Sequence, residues 1–236
     1  MSSGAVVGFD TATPRLTVAA LAEGAVAFER SSDPGAGERP AHVRELLGMI
    51  EQAASTVGGW DAVGLIAVGT GPGSYTGLRI GVATARALAQ GLGKPLGPVV
   101  TLQALARAIE ADGERPRLSV LDARRSQVFT ALYGPAGDEL WEPFVAGPEE
   151  AAARVAALPL APLAVGDGSL RFRREFEAAG AEIVADDDEA HLISARHVCA
   201  LAGDEAPAKP AEVQPIYLRP PDAELWREQQ RRDRNR

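Results

Sequence analysis

Two short runs decide how this chain folds: Gly8-Phe9-Asp10-Thr11-Ala12 and, in the second half, Val120-Leu121-Asp122-Ala123-Arg124. Each closes an apolar stretch, Ala5 to Phe9 or Leu118 to Leu121, with an aspartate. Short apolar runs of this kind read as buried strands. The segments after the two aspartates also resemble each other in order. After the first, Leu16 to Leu21 and Ala25 to Glu29 read as strands around a Glu23-Gly24 turn. Ala41 to Val57 reads as a helix, because Val43, Leu46, Leu47, Ile50, Ala54 and Val57 recur at about 3.6 residues. Gly58-Gly59 ends it. Ala62 to Val68 is a further buried strand, and Leu78 to Leu92 a second helix stopped by Gly93 and Pro95. After the second aspartate, Val128 to Tyr133 and Leu140 to Val145 read as strands and Pro148 to Leu158 as a helix. Leu163 to Val165 is a strand, Leu170 to Ala179 a helix, Ile183-Val184 a short strand and Ser194 to Ala202 a last helix. A second echo pairs Val68-Gly69-Thr70-Gly71 with Val165-Gly166-Asp167-Gly168.

The shared order of three strands, helix, strand, helix predicts an α/β chain built by duplication. It matches the two-lobed actin/Hsp70-like (ribonuclease H-like) architecture, also that of sugar kinases, with a mixed sheet and flanking helices in each lobe. The expected division is a first lobe over 1–101, a second over 102–220 and a basic tail over 221–236. That tail carries Arg227, Arg231, Arg232, Arg234 and Arg236 and reads as a solvated helix end.

Bulk properties bound the function. A chain of 236 residues with 46% hydrophobic and 24% charged residues is large enough to bury roughly 70% of its unfolded surface. The single cysteine, Cys199, forms no internal disulfide and fits a reducing, cytoplasmic setting. No apolar run approaches the ~20 residues needed to cross a bilayer, and Met1-Ser2-Ser3-Gly4, without a basic and then an apolar region, is not expected to open a signal peptide. A net charge of −8 repels phosphate backbones, so the chain alone is expected to bind nucleic acid poorly.

The most informative motif is Gly71-Pro72-Gly73-Ser74-Tyr75-Thr76-Gly77-Leu78-Arg79-Ile80-Gly81, between a strand and a helix. Its glycines permit close backbone approach, and Ser74 or Thr76 can cap the helix. Exposed amides at such a turn can hold an anion; a tight strand-to-helix turn explains the same residues. Gly77 is followed by Leu78 rather than the lysine of a P-loop, and Thr76 stands where a Rossmann turn needs glycine.

This stretch resembles the signature of the TsaB (YeaZ) family. Phe9-Asp10-Thr11-Ala12-Thr13, His42 with Leu46-Leu47, Leu121-Asp122-Ala123-Arg124 and Pro215-Ile216-Tyr217-Leu218-Arg219 are similar to four further family patterns, in order. Thr70, Tyr75 and Gly48 depart from the family's usual Arg, Phe and Pro. The resemblance implies a non-catalytic subunit that pairs with a catalytic paralogue, TsaD, and an ATPase, TsaE. Together these place threonylcarbamoyl on the adenosine beside the anticodon in tRNAs reading codons that begin with A. Metal and nucleotide are then expected on the partners, no cofactor on this chain, and tRNA only through the complex.

The residues agree with an accessory role. The paralogue's metal histidines stand one helical turn apart, on one helix face. Here Leu46 stands four after His42, and His191 and His197 are wrongly spaced. Neither strand-end aspartate is followed by glycines that would let amides reach a phosphate, which argues against the alternative of an ATP-dependent small-molecule kinase. The missing histidine pair argues against a metallopeptidase. Asp10 and Asp122 then read as turn caps, and Cys199 as core. The helix from Leu78 to Leu92 is apolar on most of its circumference, and Gly77, Gly81, Ala85 and Ala89 form a row in which another helix can seat. That row packs either on the chain's own first helix or on a partner. The resemblance favours a partner or a second copy, with Leu46, Leu47, Ile50, Leu78, Gly81, Val82, Ala85 and Ala89 as the expected interface.

Overall fold

The computed structural model describes residues 4–35, 38, 40–109 and 113–220. Two five-stranded mixed sheets carry the fold. The first holds β1 (Ala5–Asp10), β2 (Leu16–Ala22), β3 (Ala25–Ser32), β4 (Val63–Gly69) and β5 (Leu96–Val99) in the order β3-β2-β1-β4-β5. The second holds β6 (Arg117–Arg124), β7 (Gln127–Tyr133), β8 (Glu139–Ala146), β9 (Leu163–Val165) and β10 (Glu182–Ile183) in the order β10-β9-β6-β7-β8. Read from the opposite edge, the second order is the first again. In both, the first strand pairs antiparallel with the second and parallel with the fourth. The duplicated actin-like fold expected from the two echoes is therefore present.

The helices are α1 (His42–Thr56), α2 (Tyr75–Leu92), α3 (Thr101–Ala106), α4 (Pro148–Ala156), α5 (Asp167–Arg171), α6 (Arg173–Ala178) and α7 (Ala195–Asp204). Helices α1 and α2 cover one face of the first sheet, where Phe9, Leu16, Val18 and Ile66 meet Leu46, Ile50, Ala53, Val82 and Ala85. α4 and α6 cover the outer face of the second sheet through Val155 and Phe176.

Helix α7 crosses back. It follows β10 in the chain, yet Val198 and Ala202 pack with Leu65, Ala67 and Val99, and Ala195 and Cys199 with Ala19 and Leu21. A Cβ on Gly8 would stand 2.6 Å from Cys199 Sγ, and one on Gly97 2.7 Å from Ala202 Cβ. Residues 195–204 thus serve the first sheet, whereas the order of elements predicts all of 102–220 in the second lobe. That order gives no sign of the return, because α7 reads as one more amphipathic helix. Helix α3 lies between the layers: Leu102, Leu105 and Ala106 belong to the core of the second sheet, and Ala104 to the cluster under α7. The expected basic tail, 221–236, lies outside the described residues.

Candidate functional site

Of the two strand-end aspartates, Asp122 lines a cleft between the lobes and Asp10 lies buried behind it; each is held by its own turn. Asp10 is 1% exposed. Its Oδ1 accepts the Ala12 N–H at 2.6 Å, and its Oδ2 accepts the Thr101 hydroxyl at 2.7 Å. Thr101 Oγ1 in turn accepts the Gly71 N–H at 3.0 Å, while the Thr101 N–H donates to the Gly71 carbonyl at 2.8 Å. Burial raises the Asp10 carboxyl above its ordinary value, against the lowering effect of those two donors. The aspartate joins the end of β1, the start of α3 and the glycine loop. In the sequence Thr101 marks only the end of the first lobe, not a site residue; at the first position of α3 it carries no motif.

The glycine loop spends its amides and its close approaches inside the chain. The Ser74 N–H donates to the Ala12 carbonyl at 2.6 Å, and Ser74 Oγ caps α2 by accepting the Gly77 N–H at 3.4 Å. The cap starts the helix at Tyr75, three residues before the periodic run. Thr11 Oγ1 donates to the Gly77 carbonyl at 2.8 Å. A Cβ on Gly73 would overlap the Ala12 carbonyl, one on Gly77 the Thr11 carbonyl, and one on Gly81 the Thr11 hydroxyl. Three glycines thus let α2 lie against the β1–β2 turn. Pro72 is buried beside them, and Arg79 is exposed with its Nη1 3.3 Å from Tyr75 Oη.

This placement corrects the expected interface. Leu46, Ile50, Leu78, Gly81, Val82, Ala85 and Ala89 are all buried within the chain itself. Leu47 is 61% exposed, and Val43, one turn earlier on α1, is 81% exposed. On α2 the outward residues include Ala83 and Ala87. The row does not seat a partner helix: the β1–β2 turn packs on Gly77 and Gly81, and Ala85 and Ala89 join the core of the first sheet.

In the second lobe Asp122 Oδ1 accepts the Arg124 N–H at 2.9 Å, and Asp167 Oδ1 accepts the Asp122 N–H at 2.9 Å. Asp122 Oδ2 lies 2.8 Å from Arg171 Nη1 and 3.5 Å from Arg124 Nη1. Burial raises the Asp167 carboxyl. Arg124, Arg125 and Ser126 turn the β6–β7 hairpin with φ of 64°, 52° and 54°, a left-handed stretch that non-glycine residues adopt at some cost. The motif Tyr217-Leu218-Arg219 completes the cleft: Arg219 Nη1 donates to the Ala123 carbonyl at 2.8 Å, and the Ile216 N–H donates to the Thr70 carbonyl at 2.8 Å. The cleft encloses about 480 Å³ between Thr13, Ser74, Tyr75 and Thr76 on one wall and Asp122, Arg124 and Asp167 on the other.

The three histidines lie apart. His42 is 4% exposed between α1 and the β1–β2 turn, and burial lowers its pKa. His191 Nδ1 accepts the Gly166 N–H at 3.1 Å, and its Nε2 faces the Val184 and Ala185 carbonyls at the same distance. His197 opens onto a separate groove lined by Arg15, Glu29 and Glu189. Among the described residues no group of three or more His, Cys, Asp or Glu is placed to hold a metal ion. Cys199 is fully buried, its thiol pushed up by burial. No helix among the described residues is long and apolar enough to cross a membrane.

Known proteins that this chain resembles form a consistent set. Residues 38–161 match the family described as TsaD: tRNA N6-adenosine threonylcarbamoyltransferase. The tRNA threonylcarbamoyladenosine biosynthesis protein TsaB of Escherichia coli is 32% identical over 138 residues, 58% of each chain. The Bacillus subtilis protein of that name is 48% identical over 69 residues, 29% of each. The chain thus spans little more than half the length of the Escherichia coli relative and less of the Bacillus one. YeaZ from Pseudomonas aeruginosa superposes with a TM-score of 0.73 at 26% identity, covering 91% of this chain and all of the other.

Proposed function

The chain belongs to the family matched over residues 38–161, and within it to the TsaB (YeaZ) group; on that premise we propose that it is a non-catalytic cytoplasmic subunit of tRNA threonylcarbamoyladenosine synthesis. It acts by binding a TsaD-like catalytic paralogue, with a TsaE-like ATPase in the same assembly, and reaches tRNA through that complex. The observation that carries this reading is the outer face of α1. Val43 and Leu47 stand one turn apart, 81% and 61% exposed, on a helix whose other apolar residues are buried. Exposed branched apolar side chains one turn apart are typical anchors for an apposed helix. Two further observations support the accessory role. The carboxylate of Asp10 is engaged by Ala12 and Thr101, and the Gly71 and Ser74 amides are engaged by Thr101 and Ala12. These groups hold the turns together.

The test is reconstitution. With carbamoyl-threonyl-AMP and unmodified tRNA, the chain alone yields no modified nucleoside, and adding the paralogue and the ATPase restores it. Leu47→Asp lowers association with the paralogue at least tenfold, since a carboxylate buried at an apolar contact costs more than about 1.4 kcal/mol, and leaves the melting temperature unchanged. Modified nucleoside formed by the chain alone overturns the non-catalytic reading; unaltered association of the variant overturns the assigned face.

A further inference from the structure

A buried arginine in the second lobe stands without a counter-ion among the described residues. Arg117, the first residue of β6, is 5% exposed. Two and four residues further along the strand, Ser119 donates its hydroxyl to the Leu102 carbonyl at 2.6 Å and Leu121 joins the core under α3. Strand alternation puts Arg117 on that same inner face. Among the described residues its guanidinium has no hydrogen bond and no carboxylate partner. The charge that acts on it is a like one, that of Arg107 at the C-terminal end of α3. Burial and then Arg107 lower the Arg117 pKa, yet an arginine side chain stays charged in a protein.

The group beside it is unpaired as well. Tyr133 stands directly opposite Arg117 in the register of β6 and β7, so the two side chains are neighbours on one face. Tyr133 is 2% exposed, packed with Leu102, Leu105 and Ala106, and its hydroxyl is buried with no hydrogen-bond partner. A buried cation without a counter-charge is costly, and a buried hydroxyl without a partner adds to that cost. Both groups offer donors, and neither meets an acceptor. One oxyanion satisfies both: the guanidinium fork takes two of its oxygens, and the phenol donates to it as well. The pair lies at the far end of β6 from Asp122 and the cleft. Leu163, the neighbour of Arg117 on β9, lines the groove of about 790 Å³ that also holds Ile109 and His197.

We infer that Arg117 and Tyr133, with Arg107 at the end of α3, bind a small oxyanion, either a carboxylate or a phosphate. The bound anion ties the end of α3 to β6 and β7. The site is independent of the outer face of α1 and of the subunit role.

Thermal unfolding of the full chain tests this, with sodium acetate or sodium phosphate titrated at constant ionic strength against sodium chloride. Phosphate also stabilises folded proteins by exclusion from their surfaces, so the signal is the saturable difference between the parent and Arg117→Met. The parent gains a saturable rise in melting temperature at millimolar anion, and Arg117→Met, which fills the site with an apolar side chain and stays folded, shows none. Tyr133→Phe melts with the parent when no oxyanion is present, because the lost hydroxyl has no protein partner. It raises the midpoint of the anion titration about tenfold, the loss of one hydrogen bond to a charged group. Arg107→Gln raises the midpoint by a smaller factor. A lower midpoint for acetate assigns the site to a carboxylate, and a lower one for phosphate to a phosphate. Parallel behaviour of the parent and Arg117→Met overturns the inference. So does an anion effect that appears only in a Glu110→Gln, Asp112→Asn double variant, which makes those residues, outside the described ones, the native counter-ions. An anion effect that Tyr133→Phe leaves untouched overturns the part given to the phenol.

Discussion

A single buried carboxylate ties the end of β1 to the start of α3 and the glycine loop. Asp10 reads in the sequence only as the aspartate that ends a strand, and the expectation that it caps a turn is met by its bond to the Ala12 N–H. Its second partner, Thr101, lies far along the chain and completes a bridge to the glycine loop. No local pattern announces such a partner, because a hydroxyl needs only to be within reach once the strands are assembled. Asp10→Ala leaves the Ala12 N–H and the Thr101 hydroxyl buried and unpaired. At about 1–3 kcal/mol for each such group, the variant is expected to lose roughly 2–5 kcal/mol in urea unfolding. Asp10→Asn keeps an acceptor for Ala12 and places no charge in the core, so it loses less. Equal stability of the alanine variant and the parent would show that the bridge contributes nothing.

At the scale of elements, the sequence reveals most where periodicity speaks and least where packing partners decide. β1 to β4 and α1 lie close to the spans read from their patterns. β5 escapes such a reading, because Gly97 and Pro98 are poor strand residues; the strand lies at the sheet edge, where proline is tolerated. The predicted helix from Leu170 to Ala179 divides into α5 and α6 at Phe172, whose φ of −111° and ψ of 37° leave the helical region. The spacing of Gly77, Gly81, Ala85 and Ala89 marks one buried stripe of α2, but periodicity does not say what packs on it. At Gly77 and Gly81 it is the β1–β2 turn, so Gly81 answers to the fold. Gly81→Ala brings a Cβ into the Thr11 hydroxyl, which bonds the Gly77 carbonyl. Helix propensity alone would favour alanine by about 1 kcal/mol. Overpacking against a fixed turn costs about 1–3 kcal/mol, and the lost Thr11 bond adds to it, so the net effect is destabilising. A lower melting temperature with undiminished association of the folded variant is expected. Lost association at an unchanged melting temperature would return Gly81 to the interface.

Across the whole molecule, the decisive feature is the one least visible in the sequence: α7 returns to the first sheet and joins the two halves. Its first turn enters at the seam, where the Ala195 N–H donates to Thr17 Oγ1 at 3.1 Å and the Arg196 N–H to Glu29 Oε1 at 3.3 Å. His197 stands in that turn, on a groove shared with Arg15, Glu29, Arg30, Asp188, Glu189 and Arg196. Burial, then the charge of Arg196, push its pKa down from 6.5 to about 4, against a pull upward from Glu29, with a last small push down from Arg107. Above 6.5 the imidazole is neutral in folded and unfolded chains, and the fold has its full stability. Between 6.5 and about 4 the unfolded chain takes up a proton that the folded one refuses, so stability falls as the pH falls. Below about 4 both forms are protonated and the loss is complete. Asp10, with its raised pKa, works in the opposite sense: its contribution is present at low pH and lost as the pH rises through its folded value. The difference between parent and His197→Gln isolates the histidine from such carboxylates. Urea midpoints from pH 7 to pH 4 are expected to decline less steeply in the glutamine variant, because its neutral side chain has no proton to bind. Parallel declines would place the acid sensitivity elsewhere, with buried His42, whose lowered pKa has the same sign, as the next group to replace.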